Sequence, residues 1–219
     1  LPDLEALEVL HAYGFPVLKS TLARSVEEAE KLGQEIGFPL VMKIASPDIL
    51  HKTDVDGVAV GVPDAGEARV TFERMVRQAR LKHPEANIWG VSLQAMAQPG
   101  REVILGMTRD SKFGPLIMFG LGGIYTEVLK DVTFRLAPLR QLSAHNMLEE
   151  IRGRKILEGV RGEAPADLET LQECLERLSQ LVVEFPIIQE LDINPLMAYP
   201  KGAVVVDARI ILDGGDPNG

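Results

Sequence analysis

Glu190, Asp192 and Asn194 alternate with Leu191 and Ile193, so at the two-residue period of a β-strand their oxygens share one face. A hairpin symmetric about Pro200–Lys201 sets Asn194 directly opposite Asp207, the one charge inside AVVVDA. Unpaired carboxylates are costly to bury, so this face must meet solvent, a base or a cation. Carboxylate and amide oxygens are hard donors, the set Mg²⁺ accepts when it rides on phosphates. A solvated outer strand face would show the same alternation, but the setting of Asp207 among valines favours the metal.

Three further positions could carry chemistry. In FGLGGIYTEVLKD, Gly120, Gly122 and Gly123 permit a tight turn whose N–H groups could cradle an anion. The spacing is neither a dinucleotide fingerprint nor a Walker A loop, and a plain hairpin turn fits it as well. Glu127, Asp131 and Arg135 follow as charged candidates. Lys43 stands as the single charge in the apolar run FPLVMKIA, where it needs an anionic partner, structural or phosphate. Glu102 opens REVILG as an exposed strand residue or a ribose ligand.

His51 lies in SPDILHKTDVDGVAVGV between an apolar run and a Gly-spaced one. An imidazole, with an ordinary pKa of about 6.5, offers a free nitrogen for attack on phosphorus near pH 7. Pro47 and the absence of periodicity read as a mobile loop, with Asp54 placed to orient the ring. By its setting alone, His51 reads first as a solvent-facing loop residue. His11 and His145 fall in predicted helices and His83 at a helix end, all on the surface.

The elements that must position these residues mix helix and strand without a strict βαβ rhythm, which favours α+β lobes over a doubly wound sheet. Leu4, Leu7 and Leu10 mark a first helix, stopped by Gly14. Ser25 and Glu28 form a capping box for a helix through Ile36. Asp64 caps a long helix with Ala68, Phe72, Met75 and Ala79 on its inner stripe. WGVSLQAMA and REVILGMTR read as strands around Gln98-Pro99-Gly100. A helical stretch spans 141–158. Asp167 opens another, on which Leu168, Leu171, Leu175, Leu178 and Val182 repeat at helical spacing. IIQELDINPLMAY and AVVVDARIIL close the chain as two strands.

A net charge of −9 argues against nucleic acid, whose phosphates demand clustered Lys and Arg. No run approaches the roughly 18 apolar residues of a membrane span. The lone cysteine, Cys174, suits a reducing cytoplasm and sits at core spacing in its helix. A start without Met and the tail DGGDPNG suggest a piece of a longer polypeptide.

Taken in order, GFPLVMKIASPDILHKTDVDGV, LQAMAQPGREVILGMTRDSKFGPLIMFGLGGIYTEVLKD, RLAPL and ELDINPL…VVVDARI resemble the ATP-grasp part of the ADP-forming acyl-CoA synthetases, relatives of succinyl-CoA synthetase. The resemblance covers nearly the whole chain. It implies an α+β ATP-grasp fold with lobes at 1–95 and 96–219 gripping ATP or ADP with Mg²⁺. It also implies the reversible conversion of acyl-CoA, ADP and phosphate to free acid, CoA and ATP. Lys43 would then contact nucleotide phosphates, the Gln94–Met96 segment would run beside the adenine, and Glu102 would face the ribose. Gly122, Gly123 and Glu127 would face the transferring phosphoryl group, and Asn194 and Asp207 would hold Mg²⁺. His51 falls on a family histidine proposed to carry phosphate. The principal phosphohistidine belongs to a CoA-binding domain or subunit that this chain lacks and would need as its partner. Where the family usually shows two glycines after HK[ST]-x-V, this chain has Asp56-Gly57, and an anion there would repel nucleotide unless Mg²⁺ or Lys52 offsets it. Similar domains fused to protein lysine acetyltransferases offer an alternative, a nucleotide-binding regulatory module.

Overall fold

Apolar residues collect into two separate cores, and the chain divides accordingly into two units. The computed structural model describes residues 1–49, 51–123, 131–160 and 162–213.

The first unit comprises Pro2–Glu5 and Leu18–Gln98. Its strands β1 (Ser20–Ala23), β2 (Leu40–Ala45), β3 (Val58–Val62) and β4 (Gly90–Ala95) form an antiparallel sheet in the order β1-β4-β2-β3. The central place of β2, between β4 and β3, explains why FPLVMKIA is almost wholly apolar. Helices α2 (Val26–Ile36) and α3 (Ala65–Lys82) pack against the sheet. Ser25 accepts from the Glu28 N–H at 3.2 Å, but the Glu28 carboxylate turns to the Arg24 N–H at 2.7 Å, one residue before a standard capping box. Asp64 caps α3 by accepting from the Glu67 N–H at 2.9 Å, and Ala68, Phe72, Met75 and Ala79 are buried beneath it.

The second unit holds Leu1, Ala6–Val17 and the chain from Pro99 onward. Strands β5 (Arg101–Asp110), β6 (Gly114–Leu121), β7 (Val132–Leu136), β8 (Ile188–Ala198) and β10 (Ala208–Leu212) run in the order β10-β8-β5-β6-β7, and β9 (Ala203–Val205) also pairs with β8. Every described pairing of this path is antiparallel. Helices α1 (Asp3–Ala12), α4 (Gln141–Glu150), α5 (Arg154–Glu158) and α6 (Leu168–Glu184) complete the elements. The α6 stripe Leu171, Cys174, Leu175 and Leu178 shares one core with Leu191 and Ile193 of β8. Burial there pushes the Cys174 thiol up to about 12, which fits its place as packing.

Four expectations change. The boundary falls after Gln98 rather than after Ala95, and α1 from Ala6 onward joins the later part of the chain, because Ala6, Leu7 and Leu10 pack into that core. The buried face of α1 is Asp3, Ala6, Leu7 and Leu10, with Leu4 only half-buried. The stretch 141–158 is two helices, not one. Their break is held by the buried Asp131, whose carboxylate accepts from the Arg152 and Gly153 N–H groups at 2.7 and 2.6 Å. Finally, AVVVDARIIL is interrupted at Val206-Asp207, between β9 and β10.

Candidate functional site

The register of β8 with its neighbours places Asn194 across from Asp207. Leu196 pairs with Val205 on one side and Ile193 with Ala208 on the other, and the Asn194 N–H donates to the Asp207 carbonyl at 3.1 Å. On the other edge of β8 the register shifts between Val103 and Leu105, so Asn194 and Pro195 together face Ile104. Such a bulge bends a strand and re-aims its side chains. Asn194 is exposed and Asp207 half-buried. One Asp207 oxygen, Oδ1, accepts from the Ala208 N–H at 3.0 Å.

The same face carries Glu190 and Asp192. Burial pushes the Asp192 carboxyl above the usual carboxylate range; Arg209 pulls it back, while Asp207 and Glu190 push it further up. Arg209 also pairs with Glu190 at 3.7 Å, so part of this face's negative charge is answered within the sheet. Among the described residues no group of three or more His, Cys, Asp or Glu gathers to hold an ion. Asn194 and Asp207 offer hard oxygen donors, and so small a set suits only an ion that takes the rest of its shell from phosphate and water oxygens, as Mg²⁺ does.

Glu102, Gly122 and Gly123 meet in one place. With Gly100, Arg101, Leu121 and Ile156 they line a cavity of about 410 Å³. The Gly122 N–H donates to the Glu102 carbonyl at 2.7 Å, so the glycine turn lies directly against the first residues of β5. Gly123 has φ +60°, a conformation that costs glycine nothing. Glu127 lies outside the described residues.

In the other unit, Lys43 is 8% exposed and pairs across β2 with Ser92 and Val58. Gln94 is 2% exposed, and its Nε2 donates to the Leu18 carbonyl at 3.1 Å. Its side chain thus faces the unit's interior rather than an open wall. Met96, past the end of β4, is exposed.

His51 is exposed and immediately precedes a four-residue 3-10 turn, Lys52–Val55. The expected mobile loop is instead pinned on both sides. Before it, the Asp48 carboxylate accepts from the Asn87 N–H at 2.7 Å, and Ile49 is buried. After it, Lys82 donates from Nζ to the Asp54 carbonyl, and Arg74 pairs with Asp56. The Asp54 N–H donates to the His51 carbonyl at 3.1 Å, but among the described residues no hydrogen bond joins the Asp54 carboxylate to the ring. Asp56 closes the turn at φ 54°, ψ 34°, left-handed values that suit glycine and that aspartate tolerates better than most residues. Its charge is answered by Arg74. Lys52, expected to offset it, pairs with Asp3 at 3.4 Å.

Two contributors escaped the sequence, and a third was read in another role. Asp3 looked like an ordinary acid in a helix's first turn, and only its place among Ala6, Leu7 and Leu10 on the inner side of α1 hinted otherwise. Arg74 lies 18 residues from Asp56 with no shared period. Asp131, expected beside the chemistry, is committed to the α4–α5 break.

Two antiparallel sheets, a glycine turn against Glu102 and a strand that sets Asn194 across from Asp207 agree with an ATP-grasp protein. The chain belongs to that family, since the model for the ATP-grasp domain matches residues 1–212. It is similar to the acetate–CoA ligase (ADP-forming) I subunit beta of Pyrococcus furiosus, 48% identical over 212 residues, covering 97% of this chain and 91% of that one. It is similar in structure to the dinucleotide forming acetyl-coenzyme A synthetase 1 of Candidatus Korarchaeum cryptofilum. That protein in complex with coenzyme A and Ca-AMPCP superposes with a TM-score of 0.91 at 45% identity, over 97% of this chain and 93% of that one. In complex with coenzyme A and Mg-AMPPCP, with its phosphohistidine segment pointing towards the nucleotide binding site, the TM-score is 0.83 at 42% identity, over 97% and 92%. Among the described residues, no helix is long and apolar enough to cross a membrane.

Proposed function

We propose that this chain is the ATP-grasp subunit or domain of an ADP-forming acyl-CoA synthetase, an acid–CoA ligase that makes acyl-CoA, ADP and phosphate from acid, CoA and ATP. The observation that carries it is the 48% identity to a ligase beta subunit across nearly the full length of both chains. A CoA-binding partner subunit follows from that relationship. The nucleotide analogues held by the Korarchaeum protein support ATP or ADP with a divalent cation as the ligand.

Lys43 would neutralise nucleotide phosphates from its buried strand. The adenine would lie along the stretch at Met96, with Gln94 stiffening that stretch from inside the unit through Leu18. Glu102 would accept from the ribose hydroxyls, and the backbone N–H groups of the Gly122–Gly123 turn, with Glu127, would face the transferring phosphoryl group. Asn194 and Asp207 would hold Mg²⁺, which when bound supplies charge neutralisation to the phosphates. His51 would attack phosphorus through a ring nitrogen, forming an N–P bond as the P–O bond to the leaving group breaks.

Isothermal titration tests the binding half directly. The chain should bind MgADP and MgATP well below millimolar concentration. Asp207→Ala should weaken that binding about tenfold or more, as the loss of a ~1.5–3 kcal/mol charged contact requires. No binding at millimolar nucleotide would end the proposal. Unchanged affinity in a destabilised Asp207→Ala protein would make the residue a structural ion pair.

A further inference from the structure

We propose that Asp3 is a positioning residue for His51, acting through Lys52; this rests on the assignment of His51 as a phosphoryl acceptor. The exposed ring of His51 has no hydrogen bond of its own among the described residues, so its placement is inherited from the backbone on either side. On the C-terminal side that backbone is Lys52. Its carbonyl accepts from the Gly57 N–H at 2.7 Å, and its ammonium lies 3.4 Å from Asp3 Oδ1.

Of the three charged clasps on this turn, only the Asp3 clasp is buried. Arg74 and Asp56 leave 40% and 55% of their side chains exposed, and Lys82 is exposed as well, whereas Lys52 and Asp3 leave 16% and 5%. Exposed pairs are screened and contribute little, while a buried one holds its partners firmly. Asp3 Oδ1 is also buried with no hydrogen-bond partner among the described residues. The Lys52 ammonium is therefore the group that offsets its charge, and the two are bound to stay together. Asp3 stands 48 positions before His51, in an element with no other part in the site. The clasp also keeps the Lys52 ammonium turned toward Asp3, so that it serves the histidine by fixing the turn.

The test uses the complete enzyme with its CoA-binding partner, γ-labelled ATP and Mg²⁺, following label in the peptide 46–62. Asp3→Asn, which keeps the shape and removes the charge, should slow labelling roughly 10- to 100-fold, the cost of a nucleophile misplaced by about an ångström. Nucleotide affinity should stay within twofold, and Asp3→Glu should recover part of the rate. Should Asp3→Asn fail to fold because Lys52 is left buried and unpaired, the double variant Asp3→Asn, Lys52→Met removes both charges and should show the same slow labelling. Wild-type labelling rates in folded Asp3→Asn, or in the double variant, would overturn the positioning role alone. Absence of label in the wild-type peptide would overturn the His51 assignment and this proposal with it.

Discussion

A methyl group on Gly122 would sit 2.8 Å from the Glu102 β-carbon and 3.0 Å from its carbonyl carbon. Those atoms belong to the backbone and stem of a paired strand, so they cannot swing aside as a flexible side-chain end would. The close approach lets the Gly122 N–H reach the Glu102 carbonyl, and it fixes the glycine turn and the acid as one piece. Gly122→Ala should cost roughly 1–3 kcal/mol by overpacking, read as a lower urea midpoint. In the fraction that folds, nucleotide affinity should fall too, because Glu102 and the turn must part. A stable Gly122→Ala protein with wild-type affinity would show that the contact has slack. Asp56 makes a complementary point at this scale. Aspartate adopts the left-handed backbone that suits glycine, and a neighbouring helix supplies Arg74 to answer its charge.

Among the elements, Asp167 joins the β8–β9 hairpin to the start of α6, beside the core that β8 and α6 share. Asp167 caps α6 by accepting from the Thr170 N–H at 3.1 Å, and its other carboxylate oxygen accepts from the Gly202 N–H at 2.8 Å. Its own N–H donates to the Tyr199 carbonyl at 2.8 Å. The N–H donors of Gly202 and Thr170 hold its carboxyl below the usual carboxylate range. A depressed folded pKa stabilises the protein above the unfolded value of about 3.9, and the contribution is lost as pH falls from there through the folded value. Asp167→Ala should therefore cost about 1–2 kcal/mol at pH 7, and the gap between variant and wild type should narrow below about pH 3.9. Urea midpoints at neutral pH and at pH ~3 check both. A gap that is the same at both pH values would assign the loss to packing alone.

For the whole molecule, the proposed function divides one reaction between this chain and a partner. The isolated chain should bind MgADP yet release no acyl-CoA when given acid, CoA and ATP, and addition of a matching CoA-binding subunit should start turnover. Full acyl-CoA synthesis by this chain alone would refute that division.

Local pattern determined much of this. The alternation of Glu190, Asp192 and Asn194 and the turn at Pro200–Lys201 placed Asn194 opposite Asp207, because strand period and hairpin symmetry act over a few residues. The Asp64 and Asp167 caps, the inner stripes of α3 and α6 and the buried Lys43 strand were legible for the same reason. What the tertiary structure alone decided involves partners distant in sequence. It sent α1 to the core of the later chain, split 141–158 around the Asp131 carboxylate, and turned Gln94 inward to Leu18. It also replaced a supposedly mobile loop at His51 with a turn clasped by Asp3, Arg74 and Lys82. No period or spacing encodes such contacts, since they form only once the fold brings together groups that lie far apart along the chain.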